Sequence, residues 1–422
     1  MRQLFLESLP DFVRSEDPGT ITKEFSMKLI TPMFGGDSES WVLNRSAPVR
    51  APSVKGQLRF WWRTLKSEMD HRVLLATENV LWGGKVAKNK RIQSRVKIAV
   101  TDQKVSKQHQ AELNDKGFAV EDEVIPAYVA FPITSAIKNE NKDVRYAQEL
   151  SFTLRASYPK DQELTVLNTL KLWVLFGGVG ARTRRGCGSL YCEELLRDFE
   201  DENAIGVFVR SIGSGEQAAL PYPRIFNSQL AVNHAGGNPE AAWKSLMESY
   251  ASFRQDRVPR KPTPGRSYWP EPDAIRILVG KHAPLHTPEH PDGLWFPRAA
   301  FGLPIITKFN TKGNGHGDPD PQVELLPNIG TRERWPSPVI LKVIRLPNGK
   351  VLKAALVLNQ SFPEALVLKQ KDGQHFSIPQ VAHPFAPEVG SKIMKNKEGK
   401  YLSPGESLYQ ALFKALGLKE VK

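Results

Sequence analysis

Between Glu24 and Leu196 the chain passes through stretches of two-residue and helical period in the order strand, helix, strand, strand, helix, strand. "EFSMKLITPM", Glu24 to Met33, alternates Phe25, Met27 and Leu29 against polar neighbours, as a half-buried strand does. "RAPSVKGQLRFWWRTLKSE", Arg50 to Glu68, has the period of an amphipathic helix. "RVKIAV", Arg95 to Val100, and "LSFTLRA", Leu150 to Ala156, predict the second and third strands. "LTVLNTLKLWVLF", Leu164 to Phe176, is apolar nearly all round and predicts a buried helix. "SLYCEELL", Ser189 to Leu196, predicts a fourth strand. This βαββαβ order is the ferredoxin-like split motif that RNA-recognition modules share. A long insertion, Thr101 to Glu149, separates the second and third strands and contains "AYVAFPI".

The second half reads differently. "PEAAWKSLMESYASFRQ" predicts a helix with Pro239 at its start. "VILKVIRLPNGKVLKAALVL" predicts a β-hairpin, with Asn348-Gly349 supplying the positive φ angles of a type I′ turn. "ESLYQALFKAL" predicts a C-terminal amphipathic helix, and the Pro- and Gly-rich loops between these elements are expected to be mobile. A length of 422 residues suggests two or three domains, each large enough for its own core.

The first helix carries more charge than a core helix needs. Pro52 and Ser53 mark its start, with the Ser53 hydroxyl available as a cap. Val54, Leu58, Trp61 and Leu65 fall on the core side. Lys55, Arg59, Arg63 and Lys66 fall together on the adjoining side, with Arg50 just ahead of them. Like charges at this spacing repel by a few tenths of a kcal/mol per pair, so something negative is expected opposite. Trp62 projects at the seam, and Gly56 tolerates close approach of a ligand backbone. The plainer alternative is a solvated face whose Lys and Arg stems cover apolar surface.

The charge of the whole chain points the same way. Lys and Arg number 58 against 45 Asp and Glu, a formal +13 with a pI near 9.5. That favours a polyanionic partner without separating RNA from DNA or an acidic membrane face. No run approaches the ~18 apolar residues of a membrane span. "MRQLFLESLP" is too short and too acidic for a signal peptide, which predicts a cytoplasmic protein. Cys187 and Cys192, placed in one predicted strand, then read as free thiols.

"FGGVGARTRRGCGSL", Phe176 to Leu190, surrounds Arg182, Arg184 and Arg185 with glycines, Gly180 among them. Such a loop can expose backbone N–H groups as an anion nest, to which arginines add bidentate donors. It follows a helix and lacks Gly-Lys-Ser/Thr, so it is neither a Walker A loop nor a dinucleotide fingerprint. A flexible connection with solvated arginines is the bland reading.

His282, His286 and His290 have helical metal-site spacing, but Pro284, Pro288 and Pro291 break any helix there, leaving a surface loop. "KGFA", Lys116 to Ala119, begins like an RNA-stacking strand and runs into acids, so it reads as a loop. Asp37, in "FGGDSESW", is a candidate carboxylate for a divalent metal, without a visible second ligand. No Ser-His-Asp or Cys-His arrangement can be argued.

"TPMFGGD…VRAPSVKGQLRFWWR" and "GGVGARTRRGCGSL" together resemble the RAMP superfamily (repeat-associated mysterious proteins) of CRISPR systems. Within it they are similar to the first-subunit family of the type III-B Cmr effector complex. "FPRAAFGLPI", which contains Arg298, and "RERWPSPVILKVI" resemble second-half motifs of that family. Val54 and Lys55 stand where isoleucine and arginine are expected, and the Thr101 to Glu149 insertion matches no motif.

The resemblance implies an α+β fold of two ferredoxin-like (RRM-like) domains with insertions, residues 1–205 and 206–422. It implies a non-catalytic subunit without cofactor or metal, whose partners are guide RNA, target RNA and other Cmr subunits. The implied RNA contacts are Arg50, Lys55, Gly56, Arg59, Trp62, Arg63, Lys66, Gly180, Arg182, Arg184, Arg185 and Arg298. Three alternatives remain open: a metal-dependent ribonuclease using Asp37, a repeat-processing endoribonuclease, and a structural cap without RNA contact.

Overall fold

A computed structural model describes residues 19–37, 39, 41–66, 70–87, 90–113, 125–140, 142–213, 222–255, 257, 266–289, 294–309, 316–319, 322–378 and 406–421. Strands β1 (Thr20–Leu29) and β2 (Met33–Phe34) come first, then helices α1 (Ala51–Thr64) and α2 (His71–Trp82). A small pair, β3 (Gly84–Ala87) and β4 (Lys90–Ile92), precedes β5 (Lys97–Gln110). Helix α3 (Ala127–Glu140) leads to β6 (Arg145–Pro159), α4 (Glu163–Phe176) and β7 (Leu190–Tyr191).

In the first sheet β5, β6, β1 and β7 lie side by side, every pair antiparallel, with β2 continuing the β1 side of β6. Numbered by appearance, its strands stand in the order second, third, first, fourth. β5 and β6 form a long ribbon, so the expected insertion shrinks. Thr101 to Gln110 extend β5, with a register shift where Asp102 has φ 51°, and "AYVAFPI" lies in α3.

The fourth strand is shorter than its sequence suggests. It stops at Tyr191 because Cys192 is the N-cap of helix α5 (Glu193–Leu196), whose Glu193 and Glu194 suit a first turn. The two cysteines therefore do not share a strand. Both are free and buried.

Helix α6 (Glu202–Ile212) precedes β8 (Arg224–His234) and α7 (Pro239–Gln255). An inserted layer follows: α8 (Glu271–Val279), β9 (Ile305–Lys308) and β10 (Gln322–Pro327). Next come β11 (Val339–Arg345) and β12 (Val351–Asn359), then β13 (Leu366–Gln370) and β14 (His375–Ile378). Helix α9 (Leu408–Ala415) and β15 (Lys419–Glu420) complete the chain, α9 starting in a capping box between Ser407 and Gln410. The sheet β11–β12–β8–β15 is antiparallel throughout. Its strands again stand second, third, first, fourth. The fold is α+β, with the ferredoxin-like order twice in one chain. A separate sheet, β14–β13–β10–β9, belongs to the insertions of the second unit.

The β11–β12 hairpin forms with a different turn from the one expected. Only Gly349 has positive φ (82°), and its N–H donates to the Leu346 carbonyl at 3.0 Å. Pro347 fixes its own φ near −65° and so favours a type I turn, after which Gly349 takes the left-handed position.

The two units do not keep separate cores. One apolar cluster joins Leu58, Trp61 and Leu170 to Leu230, Ile340 and Leu352, and a second joins Phe34 and Tyr146 to Trp243 and Leu341. "KGFA" lies outside the described residues, as does His290.

Candidate nucleic-acid interface

Helix α1 begins one turn earlier than Ser53 suggests. Arg50 is its N-cap and makes no side-chain cap, Pro52 lies in the first turn, and no acid stands there. The Arg50 carbonyl accepts from Ser53 and Val54 N–H at 3.0 and 3.1 Å. Ser53 is therefore inside the helix rather than its cap. The positive end of the helix dipole opens beside the exposed Arg50, without a side-chain anion from its own first turn.

The basic side of α1 has its negative partner inside the chain. Glu78 of α2 is buried, and its Oε1 accepts from Arg59 Nε at 2.5 Å and from Arg63 Nη1 at 2.6 Å. Arg59 also reaches the Gly83 carbonyl. Arg59 and Arg63, expected as RNA contacts, thus share a buried carboxylate of the chain itself, while their side chains stay 28% and 37% exposed.

Trp62, expected at the seam, is corrected to a core residue: it is 1% exposed, as buried as Trp61 at 2%, in one apolar cluster with Leu74, Leu81 and Trp82 of α2. No base can stack on it. Lys66 lies with its Nζ 4.6 Å from the Trp62 ring centre, and burial lowers its pKa. Lys55 is also lowered, by burial first and by Arg59 second. Gly56 is exposed, with open space where a Cβ would stand.

The glycine loop is a seam between the two units. Arg184 donates to the Ser337 carbonyl, and its own carbonyl accepts from Leu341 N–H at 3.0 Å. Arg185 donates to the Val339 carbonyl at 3.1 Å and stacks 4.9 Å over Tyr250, while its carbonyl accepts from Trp243 Nε1 at 2.8 Å. Lys342, fully buried, donates to the Gly177 carbonyl. Burial pushes the Arg184 pKa down to about 10, helped by Arg185. These two arginines hold protein carbonyls across the seam, and Arg184 also borders the open cleft beside α1.

Arg182 adopts φ 57°, and its Nη2 approaches the Tyr128 carbonyl at 3.4 Å. Its buried Nε has no partner among the described residues. Gly180 needs its φ of 77°, and a Cβ there would collide with the Phe34 carbonyl oxygen. It serves the packing of the loop. Arg298 is also misplaced as an RNA contact: its Nε binds the buried Glu271 at 3.0 Å, far along the chain in the inserted layer.

What remains open is a groove between the first turns of α1 and the glycine loop. One cleft of about 410 Å³ is bordered by Asp37, Trp41, Arg50, Ser53, Gln57 and Gly180. Another of about 340 Å³ shares Ser53 and Gln57 and continues past Gly56 and Phe60 to Arg184. Sequence reasoning missed Trp41, Gln57 and Glu78. Glu78 had a legible signal, a lone acid among the apolar positions of "HRVLLATENVLW".

Among the described residues no group of three or more His, Cys, Asp or Glu side chains is placed to hold a metal ion, and no helix is long and apolar enough to cross a membrane. His286 binds the buried Asp318 at 2.5 Å instead of joining His282.

Over residues 26–191 the chain matches the family model of the RAMP superfamily. It is also 35% identical over 235 residues to the CRISPR system Cmr subunit Cmr1-1 of Pyrococcus furiosus. That match covers 54% of this chain and 63% of the relative, less than two thirds of the relative's length. The apo crystal structure of Cmr1 from Pyrococcus furiosus aligns with a TM-score of 0.49 at 20% identity, over 95% of this chain and 98% of that one. A chain of the type III-B Cmr-beta complex bound to cognate target RNA aligns with a TM-score of 0.44 at 15% identity, over 81% and 94%.

Proposed function

We propose that this chain is a non-catalytic, RNA-binding subunit of a type III-B CRISPR-Cmr complex. In this reading it holds the 3′ region of the guide RNA and its paired target by sequence-independent backbone contacts, beside other Cmr subunits. Residues 1–205 and 206–422 are its two domains. The observation that carries the reading is the groove along α1, with exposed Arg50 and Gly56, Lys55 beside them and an acid-free first turn. A helix N-terminus beside an exposed cation favours phosphate, and a basic chain supplies the long-range attraction.

The test is RNA binding at several salt concentrations by the Arg50→Ala, Lys55→Ala double variant. Affinity is expected to fall for all sequences alike, and the slope of log affinity against log salt to shrink by about 1.5 units, at ~0.7–0.9 per lost phosphate contact. An unchanged slope in a folded variant would remove the groove as the RNA site. Asp37 and Glu39 border one cleft, which is the observation favouring the ribonuclease reading. Mg²⁺-dependent cleavage by the purified chain that vanishes in Asp37→Ala would establish it instead.

A further inference from the structure

Trp41 has φ 70°, a left-handed backbone that a bulky side chain rarely adopts. It occurs in the wall of the 410 Å³ cleft at the end of the α1 groove. The half-buried ring leans edge-on against Phe34, with centres 6.3 Å apart. Val49, Val54 and Gly180 line the same cleft, together with the polar residues Asp37, Glu39, Gln57 and Arg50. Glu39 is 3.8 Å from Lys142 and stays exposed.

Each candidate ligand meets a different part of this chemistry. Inside this cleft a phosphate is disfavoured by two carboxylates, and the phosphates of a bound strand belong along α1 outside it. A wholly apolar ligand would leave the polar lining unmatched. A planar, uncharged ring with N–H donors on its edge satisfies both the tryptophan and the acids. The cleft volume lies within the ordinary range for small-ligand sites, ~300–1,000 Å³. Ser53 and Gln57 are shared with the groove beside it, so a strand lying along α1 would pass the mouth.

We propose that this cleft is a pocket for one unstacked nucleobase, held against Trp41 with its amino edge toward Asp37 and Glu39. The proposal rests on the RNA-binding reading and adds to it a single-nucleotide site and a preference. Bases with an exocyclic amino group, A, C and G, are favoured over U, whose edge offers two carbonyls to the carboxylates.

The experiment uses the full chain with single-stranded RNA oligomers, some carrying 2-aminopurine at successive positions. One position is expected to show a fluorescence change specific to the wild-type protein, and oligo-U to bind more weakly than oligo-A or oligo-C. Trp41→Gly suits the left-handed backbone while deleting the ring, so melting is used to confirm folding. It is expected to weaken binding about five- to hundredfold, the range of one base–aromatic stack. Trp41→Phe should restore most of that loss, and Asp37→Asn with Glu39→Gln should erase the bias against U.

If RNA binds with a normal salt slope but Trp41→Gly, the probe position and the base preference all show nothing, the pocket proposal fails alone. If RNA does not bind the wild-type chain or its complex, the RNA-binding reading fails with it.

Discussion

Replacing Glu78 by Gln tests how the basic side of α1 is held together. The substitution keeps the shape and one acceptor oxygen but removes the charge that Arg59 and Arg63 share. The Glu78 side chain is 2% exposed, whereas those of Arg59 and Arg63 are 28% and 37% exposed. Removing one partner of a buried pair costs ~3–5 kcal/mol, and partial exposure of the arginines lowers that figure. A loss of roughly 2–4 kcal/mol is expected, since hydrogen bonds to charged groups contribute ~1.5–3 kcal/mol each. For a cooperative unit of about 150–250 residues that is roughly 4–16 °C in melting temperature, and less if both units unfold together.

Denaturant and thermal unfolding of Glu78→Gln, Arg59→Gln, Arg63→Gln and the double variants would show non-additivity if the three act as one group. The released guanidinium groups should also steepen the salt dependence of RNA binding. A stability loss below about 0.5 kcal/mol, the size of an ordinary surface substitution, would refute the assignment of Glu78 as the organising carboxylate.

Three further outcomes follow from burial. Trp61→Ala and Trp62→Ala should each cost ~3–5 kcal/mol, and melting curves that separate the two residues would contradict their shared core position. Lys342 has its pKa pushed down to about 7 by burial, from the ordinary 10.5. Between these values the unfolded chain binds more protons than the folded one, so stability rises with pH across that window. Lys342→Met should flatten this rise in denaturation curves taken from pH 7 to 10. Burial also pushes the Cys187 and Cys192 thiols up to about 12, so neither should react with iodoacetamide at pH 7.5 before the chain unfolds.

Period-based reading was strongest where one face of an element meets one core. α4, α7 and the β11–β12 hairpin appear close to where their patterns place them, because each has its apolar residues in register with its own packing, whereas β1 runs Thr20–Leu29 instead of Glu24 to Met33. The fourth strand was over-read, since "EELL" satisfies alternation for two residues and also makes a helical turn after Cys192. Trp62 failed for a different reason. A wheel drawn for α1 knows only one apolar stripe, whereas α1 is covered by α4 on one side and α2 on another. The arginines of the glycine loop were read as free because their acceptors, the carbonyls of Ser337 and Val339, lie more than 150 residues away.

The acid-free run along α1 therefore serves two purposes, divided within one helix. Arg59 and Arg63, in its second half, neutralise a carboxylate that α2 brings into the core, and their charge is consumed by folding. Arg50 and Gly56, in its first half, line the open groove, where α1 exposes its positive dipole end, and Lys55 neighbours Gly56 in sequence. Charge reversal should reveal the division directly. Arg63→Glu places a second acid against Glu78, so it should lower the melting temperature and affect RNA binding only through loss of fold. Arg50→Glu caps the helix N-terminus electrostatically, so it should leave melting unchanged or raised while weakening RNA binding through repulsion. Equal effects of the two substitutions on both measurements would mean that α1 is not divided in this way.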